Sequence, residues 1–516
     1  MLYARPVGTD VGSELAAVSK SKLSLGRLSV ARSMGFAAVG VPAAVYLATL
    51  MPGLGHSGDS AELSTCARFL AVPHATGYPL YVLSVHGLWR LLPVSPALAA
   101  NLFSALSAVL ALWVTWRLLA KLGVARPVAL AATWTLAASP TFWEHAIVAE
   151  VYSLHLLLLA LVALLFIRFA ERKDDQSFYG ACFVYALAFG NHLLMVTLLP
   201  AVCVLVLWVK PRAFLERRRV LAVAAIIALC SMQYGLLLAR AADGAAPYRG
   251  APINGLGDLL QFVTGATYRD QMFAFSGRAL WLERLPRYID TALHELAPMV
   301  FFVPLGIAAL GRTPANAFLV LAFLGNLGFA LSYDITDIQP YLMPNHMLGA
   351  VFLGVGLDRV LRNLSASAPQ AARGLLALAL ASPLALGVLR APRIVAESGH
   401  DAAVRAQALL ADLRPGSIVI AEYPNYEFML YYRLVEKRAP MGPFVAHEGI
   451  DLGDVVAYLR DGKPLWLPQL GISLPPGFEL FSEKLFAPRR YEQAGLTIEP
   501  WRHDLYRIRY SVEPSR

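Results

Sequence analysis

Eleven apolar stretches constrain this chain more than anything else in it. They lie near 34–51, 96–119, 127–142, 146–168, 178–190, 193–209, 220–239, 297–311, 315–333, 341–357 and 373–390. Most run to roughly 16–24 residues, enough to cross or nearly cross a bilayer as helices whose backbone groups pair internally. The fifth and sixth are short because one long run, 178–209, is broken by Gly190-Asn191-His192 and Pro200. The composition agrees: 57% of the 516 residues are hydrophobic and only 15% charged, with a mean hydropathy of +0.54. A soluble chain carries about a quarter charged residues. The expected fold class is mostly α, a multi-pass transmembrane helical bundle.

The connecting loops set its orientation. With the N-terminus inside, alternate loops carry Arg117, Lys121 and Arg126; Arg168, Arg172 and Lys173; Lys210, Arg212, Arg217, Arg218 and Arg219; Arg312; and Arg359 and Arg362. All the short basic loops fall on one side, as the positive-inside rule requires. An odd number of spans then leaves the C-terminal part outside. The net charge of +9 reports this topology, and no nucleic-acid partner is expected. Residues 1–33 are basic and too long for a signal-peptide n-region, so they read as a cytoplasmic arm ahead of a retained signal anchor. Of the four cysteines, Cys182, Cys203 and Cys230 lie in apolar spans and Cys66 in a loop, a spacing that fits neither a disulfide framework nor a metal site.

The domains expected are the arm 1–33, a transmembrane domain 34–391 with long outer loops 52–95 and 240–296, and an extracytoplasmic domain 392–516. The 240–296 loop mixes Leu, Phe and Trp with Arg and Asp at near-helical spacing, which reads as short amphipathic helices on the membrane surface. In 392–516, SIVIAEY and PLWLPQ read as strands, and EFMLYYRLV and DVVAYLRDG as helices, so a small α/β domain is expected.

Ionisable residues gather at the outer ends of the spans. Asp59 and Glu62 share one helix face in the first outer loop. Two readings stand: Asp59-x-x-Glu62 as a capping box, or as carboxylates that activate a hydroxyl. Glu150, about a turn and a half inside its span, is hard to explain structurally, because charges within the membrane are rare and usually functional. His74 orders a turn or binds substrate. His192 satisfies a broken helix or binds substrate. Asp337, with Asp334, caps a helix or belongs to the site. Arg269, Arg278, Arg284 and Arg287 either pair a phosphate or form the wet face of surface helices. Arg269 and Arg278 lead, because they flank the apolar MFAF segment. Asn101 reads as a helix-packing polar residue.

The series GDSAEL, VPHATGYPLY, NLFSALSA, SPTFWEHAIVAEVYSLH, FGNHLLM and YDITDIQPYLMP resembles, in order and spacing, the protein O-mannosyltransferase-like family of multi-pass membrane proteins in the GT-C glycosyltransferase superfamily. The resemblance covers roughly residues 35–360. It implies a GT-C fold with an acidic first outer loop. It also implies an inverting transfer of a sugar, mannose being the best supported, from a polyprenyl-phosphate donor to a hydroxyl of a protein or glycan acceptor. Asp59 corresponds to the family's first-loop acid, with Glu62 beside it and Glu150 as a third catalytic candidate. Substrate-binding candidates are His74, Tyr78, Tyr152, His192, Arg269, Arg278 and Asp337. No metal or further cofactor is expected, and the expected location is a bacterial-type cytoplasmic (inner) membrane. The other readings are a lipid-carrier flippase or transporter, and a non-catalytic assembly factor on the same scaffold.

Overall fold

The computed structural model describes residues 33–55, 58–213, 215–243, 252–399, 401–422, 425–435, 444–447, 450–467, 472–483, 493–501 and 505–510. The expected arm 1–33 therefore lies almost wholly outside the described residues.

The protein is a multi-pass membrane protein built on a helical bundle. Five helices are long and apolar enough to cross a membrane: Pro96–Lys121, Tyr152–Arg172, Arg217–Ala242, Pro314–Ser332 and Pro369–Glu397. Three shorter apolar helices are Ser33–Thr49, Leu193–Val209 and Met299–Ala309. Each of the eleven expected stretches coincides with helix, but length and composition do not establish eleven spans. The stretch 127–142 ends as a helix at Ala137 and restarts as Pro140–Ile147, because Pro140 has no N–H to continue the ladder. The stretch 341–357 lies in the longer helix Gln339–Ser367, whose buried Asn345, His346 and Asp358 make it less apolar.

The breaks are chemically supported. Tyr46 donates to Ala137 O at 2.7 Å and Arg390 to Ala138 O at 2.9 Å. The buried Glu295 accepts from the N–H and hydroxyl of Thr141 and from Ser139, closing the start of Pro140–Ile147. Asn101 donates to Met51 O and Gly53 O at 2.8 and 2.7 Å, so it ties the end of the first helix to its neighbour as a packing residue. Orphan carbonyls inside a bilayer need such partners.

One helix crossing is set by glycine. A Cβ on Gly306 would lie 1.8 Å from Phe352 O, and one on Gly356 2.1 Å from Phe302 O. Small residues let backbones approach this closely. Gly306→Ala and Gly356→Ala are each expected to destabilise by about 1–3 kcal/mol, as overpacking does. Thermal unfolding of the solubilised protein reads the loss. Gly374→Ala, with nothing near its Cβ, is the control and should leave the midpoint unchanged.

The surface segment between Arg217–Ala242 and Met299–Ala309 forms short helices, Leu256–Val263 and Leu285–Glu295 among them. The last long helix continues to Glu397, past residue 391. Beyond it lies the α/β region. Strands β1 (Ile418–Ala421), β2 (Phe444–His447), β3 (Leu465–Leu467), β4 (Ile472–Leu474), β5 (Leu480–Ser482), β6 (Leu496–Pro500) and β7 (Tyr506–Tyr510) follow in order. Five form one sheet in the order β2-β1-β5-β7-β6, with β1 parallel to both neighbours and β7 antiparallel to β5 and β6; β3 and β4 form a hairpin. Helix Asn425–Leu434 leaves this sheet to pack Tyr426, Met429 and Leu430 against Leu54, Ala61, Cys66 and Val82 of the first outer segment. The α/β region is thereby fixed over the helix that carries Asp59 and Glu62.

Candidate functional site

Helix Gly58–Phe69 carries Asp59 in its first turn and the fully buried Glu62 on the same face. The capping-box reading does not hold. Asp59 lies inside the helix, and both oxygens of Glu62 reach His74 instead: Oε2 accepts from Nδ1 at 2.9 Å and Oε1 from the backbone N–H. A carboxylate accepting from Nδ1 puts the ring proton there and leaves Nε2 an acceptor. The Tyr78 hydroxyl donates to that Nε2 at 2.9 Å, and Asp59 Oδ2 stands 4.0 Å from it. Burial, reinforced by Tyr341, Tyr268, Asp59 and Glu62, holds the Tyr78 phenol well above its ordinary pKa, so it remains a neutral donor.

The local chain makes this possible. Gly77 N–H closes a turn on His74 O at 2.8 Å, and Gly77 takes φ +88. Its Cβ would meet Leu237 at 2.7 Å, so torsion and space both require glycine. Tyr78 follows at φ +41, and Pro79 opens helix Pro79–Leu91.

From Tyr78 an aromatic wall continues. Its ring lies 6.0 Å from His192, which meets Tyr152 at 5.3 Å and Tyr341 at 5.6 Å. Tyr152 also meets His145 at 5.3 Å. Burial, with the neighbouring His74 as a smaller cause, pushes His192 down to about 3, so its ring is neutral. Two bonds hold these segments at one level: Asn191 Nδ2 donates to Val151 O at 3.0 Å, and Leu80 N–H to Gly190 O at 2.9 Å. Glu150 is placed differently from expectation. It does not lie inside a helix but in the break 148–151, between Pro140–Ile147 and Tyr152–Arg172, where its N–H donates to Ser104. Its charge adds to burial in raising the Tyr81 phenol.

Two cavities are relevant, of which only the first is lined by residues of this wall. One, of about 80 Å³, is lined by Tyr78, His192, Tyr268, Tyr333 and Tyr341. The other, of about 640 Å³, is lined by Gln271, Arg284, Arg287, Tyr288, Asp334 and Gln339. Arg284 is committed to structure: it donates to Leu331 O and Tyr333 O and lies 4.4 Å over Phe275. Arg287 makes no hydrogen bond or ion pair among the described residues. The two leading arginines of the sequence reading are placed elsewhere. Arg269 and Arg278 are exposed and line neither cavity. Asp337 is also exposed, and its charge, with burial as the larger cause, raises the Glu144 carboxyl.

The structure thus brings together Asp59, Glu62, His74 and Tyr78, joins Tyr152 and His192 to them through ring contacts, and sets Glu150 beside Tyr81. Sequence reasoning missed Tyr341, Tyr333 and Tyr268. Tyr333 and Tyr341 both lie within the quoted YDITDIQPYLMP motif, but the acids drew attention away from the tyrosines. Ligand atoms of Asp59, Glu62 and His74 lie within 4.8 Å of one another, a donor set able to hold one metal ion. Cys66 offers no nucleophile, because burial, Glu62 and Glu427 raise its thiol well above the usual range.

Residues 59–214 match the family described as the Protein O-mannosyl-transferase TMEM260 N-terminal domain. The mouse Protein O-mannosyl-transferase TMEM260 is 34% identical over 137 residues, which is 25% of this chain and 18% of the mouse protein. The match therefore spans less than a fifth of that relative's length. ArnT from Cupriavidus metallidurans bound to undecaprenyl phosphate superimposes with a TM-score of 0.58 at 13% identity, covering 91% of this chain and 96% of that one. The Archaeoglobus fulgidus oligosaccharyltransferase in complex with Zn and sulfate gives 0.51 at 13% identity, over 86% and 67%. At such identities the likeness is one of fold.

Proposed function

We propose that this chain, an O-mannosyltransferase-like membrane protein of the GT-C fold, moves a sugar from a polyprenyl-phosphate donor to a hydroxyl of a protein or glycan acceptor. Mannose is the proposed sugar, and the proposed place is the outer face of a bacterial-type cytoplasmic membrane, with the α/β region outside. The observation that carries the reading is Asp59, set beside an imidazole that Glu62 holds in one tautomer, at the ends of apolar helices.

In this reading Asp59 is the general base. An alcohol is a weak nucleophile and needs a positioned carboxylate. Glu62 is committed to His74 and acts through it, so neither a proton acceptor nor a metal ligand is assigned to Glu62. His74 and Tyr78 present a fixed polar edge to the acceptor, and the aromatic wall of Tyr152, His192 and Tyr341 fits the sugar. Attack on the anomeric carbon expels the lipid phosphate in one displacement and inverts that centre. The mouse relative's name and the undecaprenyl phosphate in ArnT support the activity and the donor class.

The departing phosphate needs a cation. We assign that role to Arg287, uncommitted on the larger cavity, rather than to Arg269 or Arg278. Arg287→Ala is expected to raise the donor KM about tenfold or more, the loss of a charge-assisted hydrogen bond, with the fold intact. Arg269→Ala and Arg278→Ala should leave it unchanged. The converse pattern would return the phosphate to the flanking arginines. The function itself is tested with purified protein in lipid nanodiscs, a labelled polyprenyl-phosphate mannose and a Ser/Thr peptide. Labelled peptide is the expected product, and its formation from a nucleotide sugar instead would refute the donor class.

A further inference from the structure

Helices Gly58–Phe69 and Pro79–Leu91 carry the candidate site at one end and meet again at the other. Asp59 lies in the first turn of one, and Tyr78 caps the start of the other. At the far ends, His86 Nδ1–H donates to Ala67 O at 2.8 Å, a carbonyl of the first helix's last turn. That helix stops at Leu70, which takes φ +51, and Ala71 N–H returns to Cys66 O at 3.0 Å. Two guanidiniums lie over the Trp89 ring, Arg68 at 4.5 Å and Arg90 at 5.9 Å from its centroid. Such stacking leaves a guanidinium its charge and its hydrogen-bond donors. Neither arginine makes an ion pair or hydrogen bond among the described residues, and residues 63–95 contain no Asp or Glu.

Beside these cations runs an apolar stripe. Leu83, Gly87, Arg90 and Leu91 recur at i, i+4, i+7 and i+8, so they share one helix face, and they are the exposed residues of Pro79–Leu91. Leu91 is 81% exposed, and Phe69, at the end of the neighbouring helix, is exposed as well. Only Leu92–Ser95 separate Leu91 from Pro96, which opens the apolar helix Pro96–Lys121. The stripe therefore lies at a membrane surface, on the side where helix Asn425–Leu434 packs over the first outer segment.

We propose that this face binds an anionic phospholipid of the leaflet on that side. Arg68 and Arg90 pair its phosphate, Trp89 sits at the level of the head groups, and Phe69, Leu83 and Leu91 meet its acyl chains. This lipid is distinct from the sugar donor. Arg68 is nine residues from Asp59 and Arg90 twelve from Tyr78, about 14 and 18 Å at the helical rise. A phosphate held here stays clear of the reacting groups. Because both helices carry the site at their other ends, the lipid fixes the height of that site over the bilayer. Its binding requires no particular reaction at Asp59.

Thermal unfolding of the purified full chain in a neutral detergent, titrated with dioctanoyl phosphatidylglycerol, tests the proposal. A saturable rise of the midpoint is expected, with none from dioctanoyl phosphatidylcholine or inorganic phosphate at equal concentration. The double variant Arg68→Gln, Arg90→Gln is expected to weaken the apparent affinity about tenfold or more, two cations being lost. Leu91→Glu puts an acid on the same face at a position exposed enough to leave the fold intact. It should weaken the affinity too, and it decides the matter should the double variant not fold. The double variant Arg269→Gln, Arg278→Gln, in exposed arginines of the surface segment, is the control and should bind as wild type does. Phosphatidylcholine that matches phosphatidylglycerol would mean bulk lipid only, and phosphate that matches it an anion site without lipid. Equal loss in the control would mean diffuse attraction. Each of these results overturns the proposal, as does full affinity in the variants of Arg68 and Arg90 or of Leu91.

Discussion

Asp59→Asn is expected to slow transfer by roughly 10²–10⁴-fold while leaving the protein folded. Asparagine stabilises a helix start about as well as aspartate, and Asp59 lies in the first turn of Gly58–Phe69, its Oδ2 4.0 Å from His74 Nε2. What the amide lacks is the capacity to take a proton. The variant's turnover and its thermal midpoint, measured on the same preparation, separate the two roles. Normal turnover with an unchanged midpoint would leave Asp59 a helix-start residue only and move the base to Glu150.

Glu62→Ala has the second large effect, and of a different kind. Both Glu62 oxygens serve His74, one its ring and one its backbone. Removing the carboxylate leaves two buried donors without it. Hydrogen bonds to charged groups contribute about 1.5–3 kcal/mol each, so the loss is about 3 kcal/mol or more in stability. Turnover should fall as well, because His74 loses its fixed tautomer and Tyr78 its oriented acceptor. The variant is therefore expected to lose stability and activity together, unlike Asp59→Asn. An unchanged midpoint beside lost activity would identify Glu62 as a group acting directly on substrate.

The contrast between these two acids was only half legible in the sequence. Their spacing put them on one face, and the resemblance named Asp59. Nothing local revealed that Glu62 would be claimed by His74, twelve residues on, because that contact depends on the left-handed turn at Gly77 and Tyr78. The helical class and the break at Gly190 were legible, since periodicity and Pro/Gly punctuation act locally. The strands β5, β6 and β7 were not, being short and paired over long range. Glu150 was misplaced because apolarity runs straight through 146–168 while Asn191 holds Val151 in a break. Which arginines line the larger cavity was not legible for the same reason: MFAF marks an apolar segment, but which guanidinium there stays uncommitted depends on the carbonyls of Leu331 and Tyr333.

The central claim is single displacement from a lipid-phosphate sugar, and product analysis tests it most directly. Purified wild-type protein, given an anomerically pure polyprenyl-phosphate mannose and a hydroxyl acceptor, should release one lipid phosphate per sugar transferred. The new glycosidic bond, read by NMR, should have the opposite anomeric configuration to the donor, and Asp59→Asn should form neither product at a comparable rate. Retained configuration, or transfer undiminished in Asp59→Asn, would contradict the account.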